Sequence, residues 1–180
     1  MAKNLNGENK VGIELYHAKK FVNRLKKYIP NNIKIETQKN LQYVNYFHKI
    51  DSNGYGIEGK SECKKMCYAI DILLTEDNIP RVAIEVKIKS YTTHDIITYS
   101  EKAGTHKNLF PHLQYGFLCL ESTNEKLSSR YHLHNKIFDF GHIVPVGQDT
   151  DHFIQKYVKE LESMIKESRE IEKNIFNKKL

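Results

Sequence analysis

The chain has 180 residues, 39% of them hydrophobic and 28% charged. That is the size and composition of one globular domain with a real core, and it excludes a chain dominated by disorder. The formal net charge of +6 favours a polyanionic partner, of which nucleic acid is the commonest. No apolar run approaches the roughly 20 residues that span a bilayer, and residues 1–10 lack the apolar stretch of a signal peptide. A cytoplasmic location with no membrane partner is therefore expected. Cys63, Cys67 and Cys119, an odd number without a secretion signal, read as free thiols.

In chain order, residues 1–8 read as a frayed start. Residues 9–29 follow as a helix, because Val11, Leu15, Ala18, Val22, Leu25 and Ile29 recur at three- and four-residue steps. Pro30-Asn31-Asn32 ends it. Ile33, Ile35 and Thr37 alternate as in a short strand; residues 41–50 read as a helix or an irregular segment, and the glycines at 54, 56 and 59 as a loop. Residues 67–74 are strand-like, 75–80 a turn, and 81–89 a second strand, the pair forming an antiparallel hairpin. In the second strand Val82, Ile84, Val86 and Ile88 face one way, and Arg81, Ala83, Glu85, Lys87 and Lys89 the other.

Residues 92–103 predict a helix capped by Thr92 or Thr93 and stopped by Gly104. Residues 115–121 form an apolar run fit for a buried central strand, and 123–131 a polar loop or short helix. One or two strands follow over 136–140 and 142–146. The last segment, 151–177, is a long helix with Asp151 as its cap. Its seam of Tyr157, Leu161, Met164, Ser168, Ile171 and Ile175 packs on the domain or forms a dimer contact. No repeat or linker divides the chain. The order of elements predicts an α/β fold with a mixed sheet flanked by helices.

The hairpin carries the chemistry. Asp71 interrupts Tyr-Ala-Ile-Asp-Ile-Leu-Leu, and Glu85 and Lys87 interrupt Val-Ala-Ile-Glu-Val-Lys-Ile. A carboxylate in so apolar a strand is costly unless paired or bound to a metal. Glu85 and Lys87 leave the same face, and one hairpin register brings Asp71 to Glu85. Two carboxylates with the intervening Val86 carbonyl make an oxygen-rich set for a hard cation such as Mg²⁺. Lys87 would stand beside a metal-bound water and stabilise charge on a phosphate. The plainer reading of the same residues is a salt bridge on a sheet face.

The pattern Asp71, then Glu85-Val86-Lys87, resembles the PD-(D/E)XK nuclease superfamily, which includes many type II restriction endonucleases. The resemblance covers residues 66–90 directly, and the surrounding order of elements is similar. Ile70 stands where the motif is named for proline. The resemblance implies a restriction-endonuclease-like core over a single domain, 1–180, with a long C-terminal helix. It implies Mg²⁺-dependent hydrolysis of DNA phosphodiesters leaving 5′-phosphate ends, with Mn²⁺ expected to substitute. Asp71 and Glu85 would hold the metal and Lys87 would help activate water. By the same resemblance a carboxylate from the leading helix approaches the metal, for which Glu14 is the candidate and Glu58 and Glu62 weaker ones.

Lys89, Thr93, Lys102, His106 and Lys107 are the expected nucleic-acid contacts, on either side of the first post-motif helix. Arg130, His132 and His134 form a second basic group, with the two histidines on one face if the segment is a strand. Cys63-x3-Cys67 resembles half a zinc site, for which His132-x-His134 would have to supply the rest. No glycine-rich phosphate loop is present, so no nucleotide cofactor is expected. A sequence-specific restriction enzyme, acting on double-stranded DNA as a homodimer, is the leading expectation. The alternatives are a structure-specific repair or recombination nuclease on the same core and a non-catalytic nucleic-acid-binding module.

Overall fold

The computed structural model describes residues 10–47, 51–54, 63–146 and 150–177. The frayed start, the glycines at 56 and 59, and Glu58 and Glu62 lie outside the described residues. Nine elements follow in the order α1 (Lys10–Leu25), β1 (Ile33–Phe47), β2 (Cys63–Glu76), β3 (Ile79–Ile88), α2 (Thr93–Leu109), β4 (Gln114–Ser122), α3 (Ser129–His134), β5 (Phe140–Pro145) and α4 (Thr150–Asn177). The strands form one sheet in the order β1-β2-β3-β4-β5. The first two pairings are antiparallel and the last two parallel. Helices cover both faces, as the parallel half requires. Among the described residues no helix is long and apolar enough to cross a membrane.

Alternation along the strands divides the core in two. Ile72, Leu74, Val82, Ile84, Val86, Leu118 and Leu120 pack with Ala18, Phe21, Val22 and Leu25 of α1 and Ile154, Tyr157, Leu161 and Ile165 of α4. Leu73, Ala83, Tyr115, Phe117 and Cys119 face the other way, against Ile96 and Ala103 of α2 and Tyr131 of α3. The expected hairpin is present with a tighter turn. Only Asp77 and Asn78 connect the strands, both at positive φ (50° and 65°), the backbone of a two-residue turn whose twist matches that of the strands.

Four expectations need correction. Residues 33–47 form one long strand instead of a short strand followed by a helix, because β2 runs back to Cys63 and offers a backbone partner to every residue of it except Gln38 and Tyr43. Gly104 does not stop α2, which continues to Leu109 and ends before Pro111; a glycine weakens a helix interior without breaking it. Asp151 is in the first turn of α4 and does not precede it. His132 and His134 are on the short helix α3, so strand alternation does not apply to them.

The α4 seam packs mainly on its own domain. Tyr157, Leu161 and Ser168 are buried, whereas Ile175 and Phe176 near its end are exposed. Thr92 caps α2 with a full capping box: its side chain accepts from the Asp95 N–H, and Asp95 accepts from the Thr92 N–H at 2.7 Å. A second tie joins α4 to the hairpin. Arg81 meets Glu172 at 2.7 Å, and Arg169 pairs with Glu76.

Gly116 lies opposite Phe140 in the β4–β5 ladder, and a Cβ there would overlap the Phe140 ring. Gly116→Ala is expected to destabilise the fold by about 1–3 kcal/mol, with partial recovery when Phe140 is also shortened to leucine. Urea denaturation of the parent and the two variants measures both effects, and an unperturbed single variant would show that β5 yields freely.

Candidate active site

The site forms where β2 parts from β3. The register between them runs from Glu76↔Ile79 to Ile72↔Ile84 and stops there, although β2 continues its pairing with β1. Asp71 is the first residue past the parting. Its side chain replaces the lost ladder bond, one carboxylate oxygen accepting from the Val86 N–H at 2.8 Å. The other oxygen accepts from the Gln38 side chain at 2.6 Å. Gln38 has φ of 53°, a break in β1 at the same level. The N–H and C=O of one residue leave a strand by the same edge. The Val86 carbonyl therefore faces the gap into which Asp71 reaches.

Glu85 follows from strand alternation onto the α2 side of β3, and it is 1% exposed. One of its oxygens accepts from the Tyr115 hydroxyl at 2.7 Å and meets the Lys102 ammonium at 2.7 Å. Burial pushes its carboxyl up to about 7, with the charge of Asp71 adding to the rise and Lys102 and Tyr115 opposing it. A carboxylate this costly to ionise, next to a second carboxylate and a strand-edge carbonyl, fits a hard divalent cation, whose charge would remove the penalty. Among the described residues no three His, Cys, Asp or Glu side chains gather as a metal cluster. A cation at Asp71 and Glu85 would complete its shell from the Val86 carbonyl, water and a substrate oxygen, as Mg²⁺ commonly does.

Lys87 stands two residues on, between two helices. Its ammonium lies 3.3 Å from Glu14 of α1 and 3.2 Å from Asp95 of α2, and 5.3 Å from the centre of the Tyr99 ring. Burial alone would lower its pKa. The Tyr99 hydroxyl, Glu14 and Asp95 outweigh that and hold it above the ordinary lysine value. Lys87 is thus a fixed cation at neutral pH. Asp95 itself is held low: burial would raise it, but its bonds from Thr92 and the charge of Lys87 prevail.

Asp71, Glu85, Val86 and Lys87 therefore share one location, and Glu14 joins them through Lys87. The expected nucleic-acid contacts separate. Lys89 is exposed just past β3, at φ 67°, and Thr93 opens α2. Lys102 belongs to the site itself, bonded to Glu85 and to the Ala69 carbonyl at 2.6 Å. Lys107 is paired with Asp139 at 2.6 Å. His106 is corrected outright: it is fully buried, with Nε2 3.1 Å from the Leu41 carbonyl, and burial lowers its pKa. It supports the fold and presents no donor at the surface.

Tyr115, Tyr99, Asp95 and Gln38 are members of the site that sequence reading does not single out. A signal exists for two of them. Asp95, Tyr99 and Lys102 are spaced by four and three residues, which places them on one face of a helix. Tyr115 is hidden in an apolar strand, where a tyrosine is ordinary core.

No protein-family model matches the chain, and no curated protein matches its sequence.

The charge on Glu85 sets a pH dependence for the metal-free protein. Below pH 4.5 its carboxyl is protonated in both the folded and the unfolded chain. Between pH 4.5 and about 7 the unfolded chain releases the proton first, so stability falls as pH rises. The full effect is roughly 3 kcal/mol. Glu85→Gln is expected to abolish this part of the slope and to be more stable than the parent at pH 8 in EDTA. Urea melts at a series of pH values measure it; parallel curves for the two proteins would contradict the assignment.

Proposed function

We propose that this protein is a Mg²⁺-dependent DNA endonuclease. The observation that carries the reading is the buried Glu85 carboxyl beside Asp71, at a strand edge that also presents the Val86 carbonyl, with a permanent lysine cation two residues away. The match of this constellation to the PD-(D/E)XK pattern supports hydrolysis of phosphodiesters, and the +6 charge supports a polyanionic substrate.

Asp71, Glu85 and the Val86 carbonyl would hold the ion. When bound, Mg²⁺ supplies a Lewis acid for a phosphoryl oxygen and lowers the pKa of its water. Asp71 is anchored by Gln38 and the Val86 N–H, so its carboxylate is oriented before any ion arrives. Lys87 stays protonated. Its work is to orient water and offset charge growing on the phosphate, and a general base would have to come from elsewhere. Glu14 and Asp95 hold that ammonium in place. Lys102 and Tyr115 hold the Glu85 carboxyl in position. Cleavage of both strands by one such site per chain is done most simply by a symmetric dimer.

A sequence-specific restriction activity and a structure-specific repair activity share this site. Long phage DNA incubated with Mg²⁺ or Mn²⁺ separates them: discrete fragments with 5′-phosphate ends point to the first, selective cutting of branched DNA to the second. Lys87→Ala is expected to slow cleavage on the order of 10²–10³-fold with DNA binding largely kept. Mg²⁺ is expected to raise the melting temperature of the parent protein at pH 8 and not that of Glu85→Gln. Absence of divalent-metal-dependent cleavage on every DNA and RNA tried would leave only the reading of a non-catalytic binding module.

A further inference from the structure

Past the parting at Asp71, β2 pairs with no strand but β1 among the described residues, while α2 packs against its base at Ala69 and Ile70. From Lys39↔Ile70 to Phe47↔Cys63 the two strands pair only with each other, a two-stranded ribbon about 25 Å long at roughly 3.3 Å per residue. Its composition differs from that of the chain. Residues 37–47 and 63–70 contain Lys39, Lys64 and Lys65 and no aspartate or glutamate, with Asn40, Gln42 and Asn45 among them. Residues 38–40 and 65–69 are exposed.

The root of the ribbon is held firmly at the site. Gln38 is bonded to Asp71, and Lys102 donates to the Ala69 carbonyl. Tyr43 and Tyr68 stack at 4.0 Å and set their rings edge-on to the buried His106. His106 also meets the Leu41 carbonyl. The ribbon is thus a projection of fixed direction, and it starts from a residue of the candidate active site.

We propose that this ribbon is a DNA-contacting arm that lies in the major groove of duplex DNA beside the phosphate to be cut. The inference rests on the nuclease reading for the position of that phosphate. The major groove is about 12 Å wide and admits a two-stranded β-ribbon. The exposed Lys39 and Lys65 meet the phosphate rims, and side-chain amides such as that of Asn40 match the donor and acceptor pair on adenine. The segment that joins the two strands, 48–62, carries Asp51, Glu58 and Glu62 against Lys49 and Lys60, so over residues 37–70 five lysines outnumber three carboxylates, and a hairpin of that balance is not repelled from the groove as an acidic one would be. An exposed edge such as β1 is otherwise open to pairing with a second copy of the chain, and the test covers that case.

The experiment compares the full-length parent with Lys39→Glu/Lys65→Glu and with a control of equal charge change, Lys159→Glu/Lys166→Glu on the exposed side of α4. Binding to duplex DNA is measured across a salt series. Guanine N7 protection from dimethyl sulfate reports the major groove, and bis(p-nitrophenyl) phosphate hydrolysis with Mn²⁺ reports the metal site alone. The ribbon variant is expected to bind at least 30-fold more weakly, with the salt slope reduced by about two. It is also expected to lose the N7 protection and to keep the small-substrate activity, while the control binds as the parent does. Equal losses in both variants, unchanged N7 protection in the ribbon variant, or a loss that follows conversion of a dimer to a monomer on gel filtration would each overturn the arm. If the parent hydrolyses neither DNA nor the small phosphodiester, yet the ribbon variant alone loses duplex binding and N7 protection, the arm stands and the nuclease reading falls.

Discussion

A carboxyl group buried in a sheet has to be compensated by something, and in this protein the compensation of Glu85 draws on three elements at once. Its own strand, β3, carries it inward by alternation. Strand β4 supplies the Tyr115 hydroxyl, and α2 supplies the Lys102 ammonium. Even so, its proton is held up to about 7. The neighbouring structure is arranged around that cost. β2 departs from β3 one residue beyond the last pair, Asp71 caps the freed Val86 N–H, and the gap so opened is lined with oxygen. A fold selected for stability alone would fill this position with an apolar side chain, as it does at Ile84 and Val86 on the other face.

The two lysines of the site are in different situations. Lys87 is flanked by Glu14 and Asp95, carboxylates from helices on opposite faces of the sheet, and so is kept charged and placed. Lys102 touches Glu85 directly and also reaches the base of the β1–β2 ribbon through the Ala69 carbonyl. Site and ribbon are therefore mechanically joined: through Lys102 on one strand and through Gln38 on the other. Whatever the ribbon touches acts on a rigid connection to Asp71 and Glu85 that is one or two side chains long.

Much of the fold was legible in the residues. The core stripe of the first helix, the hairpin at Asp71 to Lys87, the buried strand at Tyr115 and the long last helix all show in periodicity, which is a local property. The long β1 was not legible beyond Thr37. Residues 41–47 show no strict alternation, because a register shift falls between Gln42 and Val44: Leu41 is buried, Gln42, Tyr43 and Asn45 are half-buried and Val44 is exposed. Gly104 misled for a different reason: a helix is ended by the loss of favourable packing more than by one weak residue, and Ala103 and His106 on either side of it are buried.

For the site, sequence alone determined which groups are out of place: Asp71, Glu85 and Lys87 are charged where their strands are apolar, and Glu85 and Lys87 must share a face. Pattern and spacing suffice for that, because a strand repeats every two residues whatever surrounds it. Only the tertiary structure decided who answers those charges. Glu14 at Lys87 and Lys102 at Glu85 are separated from their partners by 73 and 17 residues, and Tyr115 from Glu85 by 30. Contacts of that kind depend on the register of β3 with β4 and on where α1 and α2 lie across the sheet. They also decided that His106 serves the core and Lys102 the site, since a helical position faces inward or outward only once its sheet is in place.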